Sequence, residues 1–217
     1  MRLAQAIPAT QAIRHQATRR AIQALVQATA VAVHREIDMN KAVIERLVSM
    51  RHSPLHNYIV PGLTSWLIMD NGNTGKIRLF ESTRTQHEFI TPHSHRFDFS
   101  ACVVRGSVVN KVWYKSGNGD EYAMSRTLYL GKPGLYTNTI VSVDKYIQQV
   151  SQYKEGDWYS MTHNEIHSIQ FSRDAIVLFF EGANVTDTTS VLEPWVNHER
   201  VPTMKTEPWM FKKGETK

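Results

Sequence analysis

Cys102 is the only cysteine in 217 residues, so no intramolecular disulfide can form and nothing argues for an oxidising compartment. A single thiol on a valine-rich strand reads as a small buried apolar residue rather than a reactive group. No apolar run reaches the about 20 residues that a membrane-crossing helix needs. Acidic residues are absent before Glu36, while Arg2, Arg14, Arg19, Arg20 and Arg35 all lie in that stretch. These basic residues are scattered and no aromatic residue is interleaved with them, so neither a nucleic-acid nor a membrane partner is expected and a solvated helix face is the default. Mitochondrial transit peptides share this acid-free, arginine-bearing pattern, but here the amphipathic stripe runs on past Glu36 without a cleavage-like break. The cytoplasm is the expected location, and the mitochondrial matrix is the alternative. Also lacking are a Ser-His-Asp elbow, a phosphate loop and a dinucleotide fingerprint, which removes the hydrolase and nucleotide classes those motifs mark.

What is present suits one folded unit. Hydrophobic residues make up 41% and charged residues 21% of the chain, ordinary globular values, and a chain of this length buries roughly 70% of its unfolded surface. Ile22, Leu25, Val26, Ala30 and Val33 recur at mostly helical spacing, and Ile37, Ile44, Leu47 and Val48 prolong the stripe. Two helices are therefore expected within residues 9–51, starting near Pro8, with Asp38 or Asn40 as an internal cap and His52-Ser53-Pro54 as the stop. Their buried face covers the rest of the fold or forms a homodimer contact.

From residue 58 the pattern changes to strands and turns. Thr64–Met69 and Lys76–Ser82 flank the turn Asp70-Asn71-Gly72-Asn73-Thr74-Gly75 and form a hairpin. Further turns are expected at Ser116-Gly117-Asn118-Gly119-Asp120 and Gly131-Lys132-Pro133-Gly134, with short strands at Tyr122–Leu130 and Tyr146–Tyr153. Ala175–Gly182 is a continuous apolar run of buried-strand length. Short strands at this spacing imply a sandwich or barrel. The expected organisation is a helical segment over 1–57, a β-barrel over 58–195 and an irregular tail over 196–217, frayed at Lys212–Lys217.

The run Pro92-His93-Ser94-His95 carries the chemistry. Histidines at i and i+2 of a strand face the same way and can hold one ion, and imidazole is the commonest protein ligand for transition metals. His167 in Ile166-His167-Ser168-Ile169 supplies a third imidazole, with His163 as the substitute. His15, His34, His52, His56, His87 and His198 have no partner at ligand spacing on a strand.

Over residues 75–182 this arrangement resembles the cupin superfamily, whose first motif combines His-x-His with a later acidic residue and glycine, and whose second motif adds a histidine. His93, His95 and Gly106 fit the first motif and His167 the second. The upstream glycine is missing, and Phe99 and Ser100 stand where the usual glutamate falls. A site of three histidines looks like the thiol dioxygenase branch, the cysteine dioxygenases in particular. Leu67-Ile68-Met69-Asp70-Asn71-Gly72-Asn73 resembles that branch's strand and acidic turn, and Ile166–Ile169 its third-ligand segment. Trp66, beside Ser65, occupies the place of the arginine that binds the substrate carboxylate, which argues against cysteine itself. The resemblance implies a mainly β, double-stranded β-helix (jelly-roll) barrel with an N-terminal α-helical segment.

It also implies one divalent metal ion, Fe(II) in preference to zinc, manganese or nickel, held by His93, His95 and His167. Three neutral imidazoles give such an ion no compensating charge, so the site favours anionic ligands. A mononuclear iron dioxygenase acting on a small thiol or anionic substrate is the leading expectation. A ligand- or partner-binding protein without turnover and a zinc or manganese isomerase or hydrolase are the alternatives, the last needing a base from His163, Glu165 or Tyr159. Tyr159 and His163 are the candidate catalytic groups, and Arg78, Arg96 and Trp113 the candidate substrate contacts, the arginines as bidentate forks and the indole as a stacking surface. Asp98 is the carboxylate nearest the histidine pair. Strict alternation sends it to the opposite face unless a bulge returns it.

Overall fold

The computed structural model describes residues 41–85, 90–129 and 136–200. The first expected helix, its Pro8 start, the Asp38 and Asn40 caps, the Gly131–Gly134 turn and the frayed tail lie outside these residues.

Among the described residues one α-helix, α1 (Lys41–Ser49), leads into eleven strands: β1 His52–Leu55, β2 Leu63–Asp70, β3 Lys76–Ser82, β4 Phe97–Arg105, β5 Ser107–Tyr129, β6 Tyr136–Lys154, β7 Trp158–Met161, β8 Ile166–Phe171, β9 Ile176–Asn184, β10 Thr188–Val196 and β11 Glu199–Arg200. They form two sheets, one ordered β1-β2-β3-β9-β4-β7 and the other β11-β10-β5-β6, with β8 paired to β5. The chain is mainly β, a jelly-roll barrel of two sheets with a helix on its outside.

The first sheet is buried on both faces, which accounts for its apolar sequences. Phe99, Ala101, Val103, Val177 and Phe179 point into the barrel, while Cys102, Ile176, Leu178, Phe180, Ile77 and Leu79 point outward. The period of two thus appears as unbroken hydrophobicity in β9, whose first five residues are all buried. The outer layer is closed by α1, which packs Val43, Ile44, Leu47 and Val48 against it, and Leu47 is fully buried. Those four positions form the apolar stripe of an amphipathic helix. The stripe of α1 is thus turned onto its own barrel; the rest of the segment expected to form a homodimer contact is outside the described residues. Among the described residues no helix is long and apolar enough to cross a membrane.

Local structure departs from the sequence expectation at two places. His52-Ser53-Pro54 does follow the helix, but it continues as edge strand β1, with His52 opposite Leu67 and Leu55 opposite Ser65. An edge tolerates Pro54, which has no N–H to donate. Ser116–Asp120 does not reverse the chain. Lys115 and Asp120 both pair with Tyr146, so the intervening residues loop out as a bulge and the β5-β6 ribbon continues beyond it. Gly119 sits at φ +155, where a Cβ would collide with the Tyr146 carbonyl oxygen. The pairing of β6 therefore overrides the local turn signal.

Cutting Leu47 to alanine should cost about 2–5 kcal/mol by urea unfolding, as for other fully buried leucines. A loss below about 1 kcal/mol would show that α1 is not docked on the sheet.

Candidate metal centre

Residues 92–94 insert between β8 and β10 and tie the two together. His93 and His167 exchange both backbone hydrogen bonds, each 2.9 Å, while Ser94 N donates to Ser190 O and Leu192 N to Pro92 O. This is an antiparallel bridge in which His93 also pairs with Val191. Directly opposed residues place their side chains on one face, so the bridge brings His93 and His167 together across 74 residues of sequence. The chain then crosses toward the first sheet at Phe97, and His95 follows His93 to the same interior.

The three imidazoles meet there. One ligand atom from each of His93, His95 and His167 lies within 4.8 Å of the others, and the His95 and His167 Nε2 atoms are 2.9 Å apart. His167 is 3% exposed, while His93 and His95 are half-buried. The proton positions follow from the partners. Thr91 O can only accept, so the 2.8 Å contact with His93 Nδ1 puts the ring proton on that nitrogen and the lone pair on Nε2. Asn110 Oδ1 does the same for His167, accepting from its Nδ1 at 2.8 Å, while the Asn110 amide donates toward Met161 Sδ at 3.6 Å. Burial pushes the basicity of His93 down. It pushes His95 and His167 well below the ordinary imidazole value, with the neighbouring rings adding to the effect. All three rings are therefore neutral at pH 7, the form in which imidazole ligates metal.

The histidines line a cavity of about 230 Å³ inside the barrel. Its wall is largely aromatic: Phe179 packs on Phe80 with centroids 5.3 Å apart and on His95 at 6.2 Å. Tyr159 lines the cavity, stacks on Tyr153 at 4.6 Å and is held as a neutral phenol by burial, which raises its pKa. Arg78, Arg96 and Lys76 also line it, against one carboxylate, Glu181. Arg78 Nε donates to Glu181 Oε1 at 2.7 Å and a second nitrogen reaches Ser65 Oγ at 3.4 Å.

Two candidate residues lie elsewhere. Val112 is the residue opposite His167, so Trp113 beside it points to the other face. There its indole N–H donates to Ser168 Oγ at 3.3 Å and its ring packs on Tyr122; a stacking role toward a ligand in the cavity does not fit this placement. His163 is not part of the cavity wall. Its Nδ1–H and its backbone N–H both donate to Asp98 Oδ1, at 2.8 and 2.6 Å. A register shift does occur at Asp98, between Phe97 and Phe99, but the carboxylate is directed at His163 and not at the three imidazoles. Trp66 likewise lies outside the barrel, in the layer under α1, with its N–H on Glu81 at 3.0 Å. Cys102 is 1% exposed, and burial raises its thiol to about 11, consistent with an inert packing residue.

Sequence reasoning missed Asn110 and Glu181. Asn110 left a signal, since it alternates with Val108 and Val112 on the inward face of β5 and is the one polar member. Glu181 closes the apolar run of β9, and its partner Arg78 is 103 residues away.

No family model matches the chain, and no curated protein matches it. Solved structures with a similar fold include KdgF from Halomonas sp., at 13% identity and TM-score 0.36 over 61% of this chain and 90% of that one. An RmlC-like cupin from Shewanella frigidimarina NCIMB 400 is also 13% identical, with TM-score 0.36 over 62% of this chain and 95% of that one. Hydroquinone 1,2-dioxygenase PnpCD, in complex with Cd2+ and 4-hydroxybenzonitrile, gives 13% and 0.36 over 70% and 81%.

Because the three rings stay neutral on folding, the metal-free protein should lose stability as pH falls below about 6.5, where the unfolded chain takes up protons that the folded chain refuses. The slope should approach about 1.4 kcal/mol per pH unit for each ring. Urea midpoints between pH 7.5 and 5.0 measure it. Equal slopes for the unaltered protein and a triple His93→Gln, His95→Gln, His167→Gln variant would refute the assignment.

Proposed function

We propose that this protein is a mononuclear metalloenzyme of the cupin type, a non-haem iron oxygenase acting on a small thiol or other anionic substrate. The single observation that supports it most is the convergence of three neutral imidazoles, one buried and two half-buried, on one wall of the cavity. His93, His95 and His167 would hold the ion, and the backbone carbonyl of Thr91 and the amide of Asn110 fix two of the rings in the tautomer that ligation needs. The 2.9 Å between the Nε2 atoms of His95 and His167 is a hydrogen-bond distance between two neutral rings, and it sets both nitrogens on one side of the cavity.

Bound Fe(II) would supply a redox-active, Lewis-acidic centre at which the substrate and O2 meet. The chain's own residues do the rest. The phenylalanines around His95 exclude water, and the surplus of arginine and lysine over carboxylate in the wall attracts an anion. Tyr159, kept protonated by burial, serves as a hydrogen-bond donor to bound substrate. Within the expected 1–57 segment α1 covers the barrel, and the 58–195 segment carries the site.

Elemental analysis of untagged, freshly isolated protein tests the reading, with about one iron per chain expected and O2 consumption on adding one member of a panel of small thiols. Single His93→Ala and His167→Ala variants should each lose most of the metal while keeping the far-ultraviolet β signal. Full metal content in either variant would remove that residue from the ligand set. Asn110→Leu removes the acceptor that orients His167 and should weaken Co(II) affinity about 10–100-fold, read by competition with a chelator; unchanged affinity would leave Asn110 a packing residue.

A further inference from the structure

Arg78 and Arg96 both line the cavity, but their surroundings differ. The Arg78 guanidinium is 2.7 Å from the Glu181 carboxylate and reaches Ser65 as well, so its charge is matched within the wall. Lys76 is likewise paired, at 2.7 Å, with Asp70. The Arg96 guanidinium lies 4.4 Å from the centroid of the Tyr129 ring, and no carboxylate among the described residues pairs with it. An aromatic platform orients the planar fork by cation–π attraction without occupying its N–H donors. The main chain anchors the same residue, since Arg96 O accepts from Val185 N at 2.7 Å and from Thr186 N at 3.2 Å.

We infer that Arg96 is the anion receptor of the cavity and that its ligand is a small organic acid, a carboxylate on an apolar, ring-sized body. The inference deepens the proposed small-molecule site and rests on it. Each element of the ligand follows from the wall. One unmatched guanidinium balances one negative charge, and its fork fits the two oxygens of a carboxylate. A phosphate monoester would bring up to two charges. The remainder of the wall is mainly hydrocarbon, from Phe80, Phe97, Phe171, Phe179, Ile90 and Ile169, and about 230 Å³ accommodates a molecule of a few carbons to one ring. Arg78 and Glu181 then act as a neutral part of the wall.

Calorimetric titration of the full chain with benzoate, benzamide and benzamidine tests the proposal, because the three probes share a ring and differ in charge. Benzoate should bind at least about tenfold tighter than benzamide, and benzamidine should not bind. Arg96→Gln should weaken benzoate about 10–100-fold, to the benzamide level, and Arg96→Lys should fall between, since an ammonium keeps the charge and loses the fork. If Arg96→Gln does not fold, the probe series on the unaltered protein and the Arg96→Lys variant decide the matter. The proposal is overturned if benzoate and benzamide bind alike, if benzoate does not bind at millimolar concentration, or if Arg96→Gln leaves benzoate unaffected. Loss on Arg78→Gln in place of Arg96→Gln overturns it too. Repeating the titration after EDTA separates it from the metal reading. Charge preference that survives EDTA and depends on Arg96, in a protein without metal, keeps the receptor and removes the metalloenzyme; preference abolished by EDTA and indifferent to Arg96→Gln does the reverse.

Discussion

The reciprocal backbone hydrogen bonds between His93 and His167 hold the interior together. Residues 92–94 form no long strand of their own, yet they pair with β8 on one side and β10 on the other, two strands that are also joined through β5. A hydrogen-bonded antiparallel pair sets its two side chains side by side, so the contact that seals the barrel also sets the imidazoles together. Displacing the bridge by one residue would turn both rings to the opposite face, because side chains alternate.

The cost of this arrangement is burial of polar rings, and the surroundings are arranged to meet it. Thr91 O and Asn110 Oδ1 satisfy one nitrogen each, and the fully neutral rings avoid placing charge among phenylalanines. Neutrality of the imidazoles has a second effect. With Glu181 matched by Arg78, the wall has no unmatched acid among the described residues to cancel Arg96, so the field in the cavity is positive before any ion binds. A positive field favours an anion and opposes a cation, so an anion held at Arg96 would offset the repulsion a metal ion meets there.

Two-sided burial of the first sheet explains how so short a described helix is retained. β9 offers Leu178 and Phe180 to α1 and Val177 and Phe179 to the cavity from one run. The helix contributes Leu47 to a layer that the barrel would otherwise leave exposed. Phe179 belongs wholly to the cavity side, packing on His95 and on the ring of Phe99 at 4.5 Å.

The order of residues alone determined the β architecture and the β2-β3 hairpin, and it marked Cys102 as a packing residue and His93 and His95 as a pair, because period-two alternation, turn chemistry and His-x-His spacing act over a few residues; His167 followed from the motif resemblance, with His163 as the substitute. It also held the clue to Asn110, a polar residue in register with inward valines. Only the tertiary structure decided the rest. The glycine-rich Ser116–Asp120 became a bulge because β6 supplies partners on both sides of it. Trp113 and His163 were drawn elsewhere by neighbours in other strands, Ser168 and Asp98. Arg96 faces the cavity although it follows His95 directly, since the chain leaves one sheet for the other there and alternation no longer applies. Arg78 and Arg96 look equivalent in the sequence, and what distinguishes them is a carboxylate 103 residues distant, a pairing that depends on Coulomb attraction through space and leaves no trace in local pattern.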